Sequence, residues 1–241
     1  MDEINKHINP AAKIKAEDAI FVWLDILGFK DETESDKNYK ELKDMLIWFN
    51  KLFDNEVYYA PEPIADGVML EIKENNRHKF LNIIKDVGKK QFQFIMEKKR
   101  FIRGGISVGS RLGRQDKKGE DKFCFISNGF TRAVRIESKH VDWPVIGTDE
   151  KNLKRIRGYF NVEEETEMFD FIKSFNSKGQ VLYFIDFLEE ANPEYFELLN
   201  RKIIEHKNSG KIRNKYVWLL RYYLHRFDNI DIPENLQGTV L

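Results

Sequence analysis

Phe21-Val22-Trp23-Leu24-Asp25-Ile26-Leu27-Gly28-Phe29 is the stretch on which the fold turns. The near-continuous apolar run over residues 19 to 26 predicts a strand buried on both faces, and such strands sit inside helix-covered sheets. Asp25 ends that run beside a glycine turn. A carboxylate on a buried strand is costly unless a cation or hydrogen-bond donors meet it, so Asp25 needs a partner. A second acid stands in the same setting: Asp66 in Pro63-Ile64-Ala65-Asp66-Gly67-Val68-Met69-Leu70. Alone, Asp66-Gly67 is a turn signal. Apolar strand material on both flanks and the likeness to Asp25 give it weight. Two aspartates on neighbouring strands would hold Mg²⁺ or Mn²⁺ and leave coordination positions for triphosphate oxygens.

Around these two acids the apolar periods alternate. Residues 42, 45, 46, 49, 52 and 53 follow helical spacing from a cap at Asn38, and 78 to 98 carry a second helical pattern interrupted by Gly88. Between them, 57–59 and 64–72 read as a hairpin around Pro61-Glu62-Pro63. Phe101 to Val108 is a strand, Arg111 to Lys122 a charged loop, and Phe123 to Ile126 another strand. A helix follows from Ser127-Asn128 to Ser138, then a short strand at 144–147. Residues 1 to 17 read as a loosely held lead-in. Beyond 160, helices are expected at 166–175, 180–190, 193–207 and 211–227, the last two divided by Asn208-Ser209-Gly210. The order predicts an α+β fold, a mixed sheet with helices on one face, in a core of residues 1–160 with a helical C-terminal extension at 161–241.

Composition narrows the class. With 241 residues, 41% hydrophobic and 13% aromatic, the chain can bury a full core. Forty basic and forty acidic residues cancel, so no overall field favours nucleic acid or an anionic membrane. The single cysteine, Cys124, cannot form an internal disulfide and reads as a small apolar strand residue. The start, Met1-Asp2-Glu3-Ile4-Asn5-Lys6, lacks signal-peptide regions, and the longest apolar run is too short to span a bilayer, so a cytoplasmic location is expected.

Several further residues carry two readings. Trp23 shares a strand face with Asp25, where it either stacks on a base or ribose or fills the core. Backbone N–H groups of Ile26, Leu27, Gly28 and Phe29 are placed to meet a phosphate if they open a turn. Arg103-Gly104-Gly105-Ile106-Ser107-Val108-Gly109 has glycines where a strand should carry side chains. It fits neither a P-loop nor a dinucleotide fingerprint, and a strand crossing tightly under a helix explains it by itself. Arg103 can face a triphosphate. On the next helix, Arg135 lies one turn after Thr131; it is either a cation for a transferring phosphoryl group or a surface partner of Glu137. The five histidines show no metal-ligand spacing. The aromatics at 216, 223 and 227, with Leu219 and Leu220, follow helical spacing, so packing explains them better than nucleic-acid binding does.

Asp25-Ile26-Leu27-Gly28-Phe29 and Asp66-Gly67, in that order and spacing, resemble the metal-aspartate motifs of the class III nucleotidyl cyclase fold, a ferredoxin-like palm. With Arg103-Gly104-Gly105-Ile106-Ser107 and the late Lys215-Tyr216-Val217-Trp218-Leu219, the closer likeness is to the pyrimidine nucleotide cyclases of Pycsar anti-phage defence, and it spans most of the chain. That resemblance implies conversion of UTP or CTP to cyclic UMP or cyclic CMP and pyrophosphate, with two Mn²⁺ or Mg²⁺ ions per site held by Asp25, Ile26 and Asp66. It implies substrate contacts from Trp23, Ile26, Leu27, Gly28, Phe29, Arg103 and Thr131, and a catalytic role for Arg135. Cyclases of this class build each site between two protomers, so one copy of each motif implies a homodimer. The product would act on a separate effector protein. One departure stands out: Thr131 occupies the position where ordinary members carry an asparagine. Two rival readings remain, a related palm enzyme that joins two nucleotides and a non-catalytic nucleotide- or partner-binding module.

Overall fold

The computed structural model describes residues 14–29, 39–54, 60–64, 67–73, 79–115, 121–160, 171–175 and 178–227. Among them, the apolar run around Val22 lies in the long strand β1 (Ile14–Ile26), which is central because both its neighbours hydrogen-bond to it. Helix α1 (Tyr39–Leu52) leads to a hairpin of β2 (Ala60–Ile64) and β3 (Gly67–Lys73), then helix α2 (Phe80–Lys98). There follow β4 (Ile102–Gln115), β5 (Asp121–Ser127), α3 (Asn128–His140), β6 (Ile146–Asp149) and α4 (Glu150–Phe160). The chain closes with β7 (Phe171–Phe175), β8 (Val181–Ile185), α5 (Pro193–Glu205) and α6 (Gly210–Arg226). The strands form one sheet in the order β2-β3-β1-β4-β6-β8-β7, with β5 paired to β4. It is mixed, since β4 and β6 run parallel and the other pairs antiparallel. This is the expected α+β architecture.

The two faces of β1 divide the core. Ile20, Val22, Leu24 and Ile26 point into the main apolar cluster with Leu42, Met45 and Phe49 of α1, Ile83, Ile84, Val87 and Phe94 of α2, and Leu153 and Ile156 of α4. The alternate residues Ala19, Phe21 and Trp23 face Met69 and Ala133, so α3 covers the other face and helices clothe both sides rather than one. Pro61 and Pro63 lie on β2, at the sheet's rim, where a missing N–H costs least.

Three expectations are corrected. The segments expected as helices at 166–175 and 180–190 contain the strands β7 and β8. Short apolar runs fit either period, and β8 finds the open edge of β6, pairing Gly147 with Phe184, so the sheet continues past residue 160. The final two helices stand where expected, as α5 and α6. The charged loop expected from Arg111 is partly strand, because β4 runs on to Gln115 and pairs with both β1 and β5. For the same reason β1 begins at Ile14, inside the supposed lead-in, with Ile14 opposite Arg114. The strand material expected at 57–59 lies outside the described residues.

Candidate active site

The site begins at the end of β1. Asp25 is half-buried and lies in register with Gly67 on β3 to one side and with Arg103 on β4 to the other. Gly67 directly follows Asp66 and pairs with Ile64 across the hairpin; Asp66 itself lies outside the described residues. Gly67 has a packing reason to be glycine. A Cβ there would collide with the Trp23 ring and the Leu24 carbonyl. Trp23 is 9% exposed and meets Phe130 edge-on at 5.7 Å between ring centres, so its ring is a packing element that props the hairpin next to Asp66.

Arg103 is the cation that Asp25 requires. Its Nη2 stands 3.7 Å from Asp25 Oδ2, and the same nitrogen makes a close ion pair with Glu137 Oε1 at the far end of α3. Glu137 is 5% exposed. It reaches Arg103 because α3 lies unusually low on the sheet. A Cβ on Gly105 would run into the Ala133 carbonyl, and one on Gly109 into the Gly129 backbone. Ser107 Oγ donates to the Gly129 carbonyl, Arg132 Nη1 to the Val108 carbonyl at 2.8 Å, and the Ser110 N–H to Asn128 Oδ1 at 3.1 Å. The glycines of the Arg103 segment therefore serve the tight crossing of strand and helix. Ser127 caps α3, as its position suggests, by accepting from the Phe130 N–H at 3.0 Å.

Glu137 was missed as a site residue: beside Arg135 it reads as a surface partner, whereas the structure turns it inward. Its position four residues after Ala133 and eight after Gly129, along the small-residue stripe, was the available signal. Thr131 and Arg135 are exposed on α3. Thr131 Oγ1 donates to the Ser127 carbonyl at 2.9 Å.

The turn after Asp25 is split in its use. Gly28 takes φ +82°, a backbone open to glycine and strained for other residues. Ile26 and Phe29 bury their side chains in the main core. The Leu27 N–H donates to the Phe101 carbonyl at 3.0 Å, which occupies one of the amides expected to meet a phosphate. Leu27 and Gly28 instead line a cavity shared with α5 and α6. The late motif is largely structural: Trp218 stacks on Trp143 at 5.2 Å, Tyr216 packs on Phe101, and Leu219 and Leu220 are fully buried. Tyr222 and Tyr223 are buried too.

Among the described residues no group of three or more histidine, cysteine or acidic side chains could hold a metal ion. Among the described residues the site offers one hard-oxygen donor, the Asp25 carboxylate. That chemistry suits Mg²⁺ or Mn²⁺.

The fold is that of a class III nucleotidyl cyclase domain. The crystal structure of the adenylyl cyclase CyaB from P. aeruginosa superposes with a TM-score of 0.51 at 12% identity, over 75% of this chain and 100% of that one. The crystal structure of the guanylyl cyclase Cya2 gives 0.50 at 14% identity, over 71% and 93%. No protein-family model matches the sequence, and no curated protein matches it by sequence. No helix of the described residues is long and apolar enough to cross a membrane.

Proposed function

We propose that the protein is a metal-dependent pyrimidine nucleotide cyclase, converting UTP or CTP to the 3′,5′-cyclic monophosphate and pyrophosphate as a second messenger in anti-phage defence. The observation that carries the reading is Asp25 set in register between Gly67, the residue after Asp66, and Arg103, on a fold shared with cyclase domains.

Asp25, the Ile26 backbone and Asp66 hold two Mn²⁺ or Mg²⁺ ions in this reading. When bound, the ions acidify the ribose 3′ hydroxyl and neutralise negative charge on the leaving group. The chain's own part is orientation and charge. The 3′ oxygen attacks the α-phosphorus, the bond to pyrophosphate breaks, and the 3′ proton passes to water. Arg103, steadied by Glu137, faces the phosphates beside Asp25, and its charge favours the departing pyrophosphate. Holding ribose and triphosphate in line supplies much of the acceleration.

A homodimer completes the site. Thr131 and Arg135 are exposed on α3, which fits their serving the partner's nucleotide. Arg135 then meets charge developing on the transferred phosphoryl group, and the Thr131 hydroxyl supplies one hydrogen bond. Residues 1–160 carry this chemistry, and β7 and β8 beyond them extend the sheet while α5 and α6 pack beside it. The enzyme works in the cytoplasm, and its cyclic product acts on a separate effector protein.

The test is direct. The chain is incubated with each of the four nucleoside triphosphates and Mn²⁺, and products are identified by mass. Cyclic UMP or cyclic CMP is the expected product. A cyclic purine nucleotide defeats the substrate assignment, and a dinucleotide or no product defeats the cyclase. A second reading, a non-catalytic nucleotide-binding module, draws on Thr131, whose hydroxyl is engaged with its own helix. Nucleotide binding without turnover in a dimer would favour it.

A further inference from the structure

Beside the Leu27-Gly28 turn lies a cavity of about 280 Å³ whose lining carries five basic side chains and no acidic one. Lys99 and Arg100 come from the link between α2 and β4, Lys202 and His206 from the end of α5, and Lys215 from α6. All five are half-buried, so their charges converge where water screens them poorly. Lys202 also pairs with Glu205 at 2.7 Å. Among the described residues Lys215 forms no ion pair. Burial, and then the like charges of Arg103 and Lys211, pull its ammonium below the usual lysine range, while Asp142 and Glu137 act against that pull. A concave wall of one sign focuses field and selects a compact, multiply charged anion. Phe101, Pro144 and Ile212 add apolar surface to the lining.

We propose that this cavity binds a multiply charged phosphate group, with Lys99 and Lys215 as its principal cations and the C-terminal helices as part of its wall. The cyclase reading bears only on the source of that group, either the triphosphate tail of a nucleotide in the adjoining site or a separate phosphorylated ligand. The site gives the C-terminal helices a binding role beyond packing.

Isothermal titration of the full chain with inorganic pyrophosphate and inorganic triphosphate, without divalent metal, tests it. One saturable site is expected. Lys215→Met, which keeps the buried stem, and Lys99→Asn, which suits the left-handed backbone at φ +54°, should each weaken binding about tenfold or more, the scale of one charge-assisted contact. Melting temperature is measured in parallel to show that both variants fold. A wild-type chain that binds neither anion, or folded variants that bind as tightly as wild type, overturns the proposal. Competition by a nucleoside triphosphate identifies the bound group as the substrate's tail; undiminished pyrophosphate binding at saturating nucleotide identifies a separate ligand. Asp25→Ala separates this site from the chemistry, because it should retain pyrophosphate binding whether or not the chain proves to be a cyclase.

Discussion

Arg103 Nη2 stands between two carboxylates, 3.7 Å from Asp25 and in closer contact with Glu137, so the pair across the β1–β4 ladder is really a triad reaching into α3. The nearly buried Glu137 holds the arginine beside Asp25, the carboxylate to which the proposed cyclase reading gives a metal ion.

Asp25→Ala should therefore abolish cyclic nucleotide formation, by ~10³-fold or more, and leave the fold intact. Asp66→Ala should do the same. Product formation measured by mass, beside circular-dichroism melts of both variants, checks this. Turnover within tenfold of wild type in either variant sinks the assignment.

Glu137→Gln should act mainly on stability. Removing the nearly buried partner leaves Arg103 with the longer contact to Asp25, at a cost of about 1–3 kcal/mol. Arg103→Met in the same chain should recover part of the loss. A double-mutant cycle by urea unfolding measures the coupling, and strictly additive effects would show that the contact contributes nothing.

Gly109→Ala places a methyl group against the Gly129 backbone at the strand–helix crossing. Overpacking against main chain has no cheap relief, so a loss of roughly 1–3 kcal/mol is expected. Gly158→Ala, on the open side of α4 where a Cβ meets nothing, should be neutral or mildly stabilising. Equal melting temperatures for the two variants would dismiss the tight crossing.

Trp23→Ala should lower stability by about 3–5 kcal/mol, the range for emptying a buried aromatic site. Any effect on nucleotide affinity should follow from a loosened hairpin at Gly67. Trp23→Phe restores bulk and should recover most of both. A Trp23→Ala chain with unchanged melting and lost affinity would assign the ring to stacking on the nucleotide.

The protein should lose stability at alkaline pH. Burial, followed by the Asp186 carboxylate, pushes the Tyr222 hydroxyl upward, and burial also raises Tyr195 and Tyr223. A folded value above the unfolded one, near ~10, means the folded state holds its proton longer. Stability is thus full below about pH 10 and falls as pH climbs beyond it. Tyr222→Phe loses the hydrogen bond to Asp186 at every pH but shows a shallower alkaline decline. Urea unfolding between pH 8 and 11 reads both slopes.

Much of the sheet was legible because β1 announces itself: six apolar positions in a row, Ala19 to Leu24, leave only a doubly covered strand, and Asp25 at its end needs a partner. The hairpin at Gly67, the cap at Ser127 and the last two helices follow from equally local chemistry. What escaped the sequence was decided at a distance. Val181-Leu182-Tyr183-Phe184-Ile185 is too short to declare a period, and the free rim of β6 chooses for it. Glu137 looks like any helical surface acid until the glycines of β4 let α3 sink and turn it toward Arg103. The basic cavity draws its cations from three separated segments, which no spacing rule joins.

The pairing of β8 against β6 bears on how the chain comes to life. A polypeptide stopped after residue 160 would present the backbone of Gly147 to Asp149 as an unclosed rim, ready to recruit a strand from a neighbouring molecule. During synthesis β1 and Asp25 leave the ribosome early, yet the sheet that holds them stays unsealed until the last third emerges. Versions of this protein shortened before β8 should therefore precipitate before they can be assayed.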